Sequence, residues 1–261
     1  MMRLRMVLAV IVAAFIWFTV AQSHRRSVHD LSLPMITLIG LLVADKRFAL
    51  WWPSLTLGGA FASAAYTKLV RTHFAWITAG AVRYHFVMDA QNAPTDLGLR
   101  IAGSYPLSVL CSLGAIVLES TIIIAALRPT RLVRLIVFGE LMALLIGFWL
   151  LQGVVWPLWW VCALALLPWG DVASLKTLTP AQMTVTCVFI GVQAFATFRD
   201  VEHEPWISNY PMYSTTQDSP AAFDDEMRQR FSRVVGATDP ALTPRVLALS
   251  RDAQNTLMRM A

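Results

Sequence analysis

Residues 105–127, YPLSVLCSLGAIVLESTIIIAAL, and residues 132–151, LVRLIVFGELMALLIGFWLL, decide the fold. Each is mostly apolar over about 20 residues, the length an α-helix needs to cross ~30 Å of hydrocarbon. Working outward, further apolar runs occupy 4–20, 31–44, 49–69, 154–169 and 183–198. The expected fold is therefore all-α: a polytopic transmembrane helix bundle with six or seven spans.

Composition agrees. Of 261 residues 57% are hydrophobic and 14% charged, whereas a soluble domain carries about 25% charged residues. The excess apolar surface has to face lipid. A membrane domain over 1–198 is expected, followed by an extramembrane tail over 199–261. In that tail DDEMRQRFSRVV and PRVLALSRDAQNTLMRM have the apolar spacing of amphipathic helices. The start, MMRLRMVLAVIVAAFIWFTVAQ, is long, bulky and aromatic with a weak cleavage context, which favours a retained anchor helix over a signal peptide. The net charge of +5 does not point to nucleic acid, because the cations sit in short clusters between apolar runs, as loop cations do. Cys111, Cys162 and Cys187 fall inside apolar segments without metal-ligand spacing and read as small core or lipid-facing residues. No metal site is expected.

Cation counting sets an orientation. With the N-terminus cytoplasmic, Arg3, Arg5, Lys46, Arg47, Arg128, Arg131, Arg134 and Lys176 all fall on the cytoplasmic side of a plasma (inner) membrane. Residues 24–30, 68–103 and the tail after Arg199 then share the opposite face.

Ionisable groups inside a span cost several kcal/mol unless paired, so each is a candidate for function. Glu119 and Glu140 qualify; each either shapes a polar interior or makes a structural bond between helices. Lys68 ends the third run in GAFASAAYTKLVRTHFAW. It either snorkels to the interface or is held in a dry site made by the small residues 58–60 and 62–65 around it. A dry site disfavours the ammonium and suits an amine that takes a proton. Beyond it Trp76, Gly80 and Tyr84 fall four apart, on one helical face, with Arg83 and His85 beside them; an interface belt and a binding surface are both open readings. His24 and His29 precede the second run, where a histidine could relay a proton. In HEPWISNYPMYSTT, Trp206 and Tyr210 suit a plug over the outer mouth of the bundle. Ser/His/Asp triads, phosphate-cradling glycine loops and HExxH patterns are absent from the sequence.

These residues resemble a family. AAYTKL, followed by tryptophan and glycine in FAWITAGA, is similar to the lysine-bearing segment of the HTTM (horizontally transferred transmembrane) domain of vitamin K-dependent gamma-carboxylase and its bacterial relatives. VHDLSLPMITLIGLL resembles the family's histidine before a leucine-rich helix, and LGAIVLESTIII and WISNYPMYS resemble its later segments. The resemblance implies a lipid-soluble quinol, a vitamin K-like hydroquinone, as the bound species. It further implies Lys68 as the base acting on that quinol, His29 as its support, and Trp76, Glu119, Trp206 and Tyr210 as substrate-binding residues; the residue reading adds Tyr84 and Glu140 to the expected substrate-binding set. The chain departs from the pattern in a longer lysine-to-tryptophan spacing, in GELMALL where a histidine is common, and in a tail too short for a peptide-binding domain. The expectation is thus a membrane protein that binds and oxygenates or deprotonates a quinol. The alternative is a non-catalytic membrane subunit or scaffold that meets partners through its tail.

Overall fold

The structure, a computed structural model, describes residues 2–23, 29–78, 80–90 and 92–199. Every regular element among them is helical. Helices α1 (Met2–Ser23), α2 (His29–Leu41) and α3 (Lys46–Tyr66) lead into a π-helical turn at Thr67–Arg71. Three short helices follow, α4 (Ala75–Thr78), α5 (Val82–Met88) and α6 (Leu97–Ala102), then α7 (Tyr105–Thr121), α8 (Ile124–Leu127) and α9 (Arg131–Gln152). The chain continues through α10 (Pro157–Ala163), 3-10 turns at Leu164–Leu166 and Leu175–Thr177, and α11 (Pro180–Arg199).

Tyr105–Leu127, Arg131–Gln152 and Pro180–Arg199 are long and apolar enough to cross a membrane. Much of their surface is exposed and apolar, with Leu110 at 62%, Leu132 at 67% and Val188 at 59% exposure. Water would penalise such faces and lipid does not. By length and composition the chain is a membrane protein.

The remaining expected spans take other forms. Val7–Gln22, Leu31–Leu41 and Pro157–Leu166 are shorter apolar helices. The run expected over 154–169 is broken, because Gly153 takes φ +71° and residues 153–156 carry no regular structure before Pro157 starts α10. The run expected over 49–69 forms α3, with residues 51–58 buried along its length, and it is not among the three helices long and apolar enough to cross a membrane.

The described chain divides into two compact units. Unit 1 takes residues up to Ala64, Glu119–Met142 and those from Trp156 onward. Its core stacks Phe48 on Trp52 at 5.4 Å and sets Trp52 edge-on to Phe189 at the same separation. The Trp51 indole donates to Ala126 O at 2.9 Å, satisfying a polar atom that burial would otherwise penalise. Gly58 permits close approach here, since a Cβ at that position would lie 2.6 Å from Ile123 Cα. Helix starts follow local chemistry. Asp45 Oδ1 accepts from Phe48 N–H at 2.8 Å, capping α3, and that bond holds its carboxyl below the ordinary value. Thr179 and Gln182 exchange side-chain bonds with each other's backbone N–H ahead of α11, a capping box with Pro180 at the first helical position.

Unit 2 takes Ala65–Leu118 and Ala143–Val155. Trp76, Val82, Phe86 and Leu99 form its buried core with Ile116. Polar stitches tie the short helices to α7: Ser108 Oγ donates to Ile101 O at 2.9 Å and the Tyr105 hydroxyl donates to Thr78 O. Thr95 Oγ1 donates to Leu150 O at 2.8 Å, joining the loop before α6 to the end of α9.

Candidate functional site

Lys68 sits in the π-turn that ends the long run from Lys46. Widened turns of this kind recur at functional positions because they push one residue out of the regular helical register. Behind it His73 and Phe74 both take positive φ, at 49° and 62°, a conformation that side-chain-bearing residues adopt only at some cost. Thr72 stitches the reversal. Its hydroxyl donates to Lys68 O at 2.5 Å and accepts from Trp76 N at 3.2 Å. The chain therefore folds back on itself, and Lys68 Nζ lies 4.9 Å from the centre of the Trp76 ring. Lys68 is only 1% exposed, so its amine meets the indole face inside the protein rather than in solvent. The snorkelling reading of this lysine is corrected: its side chain is buried in protein.

The lysine faces a cavity of about 340 Å³, within the range of ligand sites. Trp76 and His85 line it from the short helices. Leu110, Gly114 and Leu118 line it from α7, and Leu144, Gly147 and Gln152 from α9. All of these lie in unit 2. Gly114 and Gly147 open the space, since a Cβ on either would meet nothing within 4 Å. Leu110 and Ala143, both exposed residues of helices able to cross the membrane, form part of the same wall. The cavity thus adjoins an apolar, lipid-compatible face.

Lys68, His85 and Gln152 bring polar atoms to this otherwise apolar lining. Gln152 is 4% exposed, and its Oε1 has no hydrogen-bond partner. An orphaned buried carbonyl costs about 1–3 kcal/mol, a cost that a bound donor would remove. His85, buried on α5, joins the site, whereas Arg83 on the same helix does not line the cavity and sets its guanidinium 5.5 Å from the Tyr105 ring centre.

Of the residues expected from sequence, Lys68 and Trp76 meet at this cavity. The expected single face of Trp76, Gly80 and Tyr84 is corrected. Gly80 takes φ +60° and ends α4 before α5 begins, so Trp76 and Tyr84 belong to different helices. Trp76, 2% exposed, is no interface-belt residue. His29 is the first residue of α2 rather than a loop residue, and belongs to unit 1. Glu119 and Glu140 also belong to unit 1. Glu119 is fully buried, and Glu140 accepts from Thr121 Oγ1 at 3.0 Å, the structural bond between helices that was one of its two readings. Trp206 and Tyr210 lie outside the described residues, as do the two amphipathic stretches of the tail. The three cysteines are free thiols.

No family model matches the chain, and neither a curated protein nor a solved structure does.

Proposed function

We propose that this chain is a multi-pass membrane protein of the HTTM type that admits a lipid-soluble quinol to the cavity of unit 2, where Lys68 takes a proton from the quinol hydroxyl. The observation that supports this most is the combination of a buried lysine with the orphaned Gln152 carbonyl in a cavity whose lining is mostly apolar. A hydroquinone is an apolar ring with hydroxyl donors. Its ring suits the leucine and glycine walls, one hydroxyl suits Gln152 Oε1, and the other suits Lys68. The mostly apolar lining strengthens each of these contacts. In this reading His85, which lines the same cavity, takes the relay role first expected of His29.

The multi-pass reading has its own support. Arg134 at the start of α9 donates to the carbonyls of Ala165 and Leu167. The chain that leaves along α9, 22 residues or about 33 Å, is thus back at that helix's starting end by residue 165. With a cytoplasmic N-terminus, this end lies on the cytoplasmic side.

The test is turnover of a reduced naphthoquinol, followed as quinol consumption and epoxide formation, by wild type, Lys68→Ala and Lys68→Arg. Arginine keeps a long side chain beside Trp76 but stays protonated, so it cannot accept a proton. Both variants should lose about 10²–10⁴-fold in rate; equal rates in all three would remove the base. A second reading, a non-catalytic membrane subunit, draws support from the Lys68–Trp76 contact, which packs the π-turn against α4. It requires that Lys68→Arg preserve function and that Lys68→Ala lower stability alone.

A further inference from the structure

Unit 1 holds a second cavity, of about 490 Å³, and its lining is cationic where the first is apolar. Arg47, Arg131 and Arg134 line it, with Asp171 the one carboxylate among them. Asp171 approaches Arg47 at 3.7 Å, but these side chains are 87% and 62% exposed, so the pair is screened and weak. Arg134 is different, being only 2% exposed. Its Nη atoms donate to Ala165 O at 2.7 Å, Leu167 O at 2.6 Å and Gly170 O at 3.4 Å, while its Nε has no hydrogen-bond partner. Carbonyl dipoles surround this charge, and no carboxylate among the described residues pairs with it.

Helix electrostatics make the arrangement worse. Arg131 and Arg134 stand in the first turn of α9, which carries no acidic residue, whereas Arg47, in the first turn of α3, has the capping Asp45 beside it. Cations at the positive end of a helix are disfavoured, and a buried charge without a counter-charge costs several kcal/mol. Membrane orientation favours cations at this end, but it does not call for a buried Arg134 without a counter-charge beside an open space. A bound anion does.

We infer that this basin binds a phosphate group, held by the Arg47 and Arg131 guanidinium groups over the charge of Arg134. Guanidinium forks match phosphate oxygens. Because α9 is a helix able to span a membrane, its starting end lies at headgroup level, where anionic phospholipids carry the phosphate. The site is separate from the cavity beside Lys68 and does not depend on the proposed quinol chemistry.

The experiment measures retention of phosphatidylglycerol against phosphatidylcholine by native mass spectrometry of the full chain, with inorganic phosphate as competitor. The variants are Arg47→Gln and Arg131→Gln, singly and together, both exposed positions chosen because Arg134 is needed for packing. Wild type should retain phosphatidylglycerol at least about tenfold better, and the double variant should lose that preference with an unchanged unfolding midpoint in detergent. Competition by inorganic phosphate without any lipid preference supports the phosphate site and assigns it to a free phosphate compound. Equal retention of both lipids without phosphate competition, or a preference that survives the double variant, overturns the inference.

Discussion

At Gly80 the backbone takes φ +60°, and a Cβ there would lie 2.9 Å from Ser108 Cβ. Gly80→Ala should therefore cost about 1–3 kcal/mol. Gly114 has helical backbone and open space, so Gly114→Ala should be neutral or gain up to about 1 kcal/mol from helix propensity. Unfolding midpoints of the two variants in detergent check the contrast. Asp89, at the end of α5, offers a second residue-scale prediction, since burial pushes its carboxyl up to about 6 from an ordinary 3.8. A raised carboxyl means that the folded state holds the proton more tightly. The stabilisation is complete below about pH 4, and it is lost as pH rises through about 6. Asp89→Asn should flatten the dependence of the unfolding midpoint on pH between 4 and 7 and raise stability at neutral pH by on the order of 2 kcal/mol; an unchanged slope would contradict it.

Elements explain what single residues do not. Arg134 was read from sequence as a loop cation because counting treats any cation near the end of a span as solvated. The structure instead places it where the carbonyls released by α10 and its 3-10 extension collect. Arg134→Lys keeps the charge but cannot fork to three carbonyls, so it should lower stability by about 2–3 kcal/mol; thermal unfolding of that variant measures it. The site shows the same mixture of the legible and the hidden. Lys68 was legible because the apolar run it ends is rich in small residues, which suits a dry site as well as a snorkelling one. The cavity around it was not, for three reasons: helical spacing was carried through Gly80 as if the chain did not turn, the π-turn has no sequence signature here, and Gln152 looked like an ordinary polar residue at a helix end. Its orphaned Oε1 is a property of the packed structure.

For the whole molecule, the excess of apolar residues made the membrane class legible, whereas the span count was not, because an apolar run is equally compatible with a core helix. The segment expected over 49–69 is buried in the core along its tryptophans and small residues. The return of the chain to the start of α9 by Ala165 predicts that a cysteine at Thr130 and one at Ser174 react with a membrane-impermeant maleimide from the same side, in a background lacking the native cysteines; labelling from opposite sides would break the multi-pass reading. The central claim, that the cavity walled by α7 and α9 receives a ligand from the lipid, is tested most directly by a photoreactive quinone analogue in nanodiscs with labelled peptides mapped by mass spectrometry. Saturable labelling at residues 110–118 and 143–152, abolished by Gly114→Leu and Gly147→Leu in folded protein, is the expected result. Labelling that falls elsewhere, or that persists unchanged when the cavity is filled, would contradict the account.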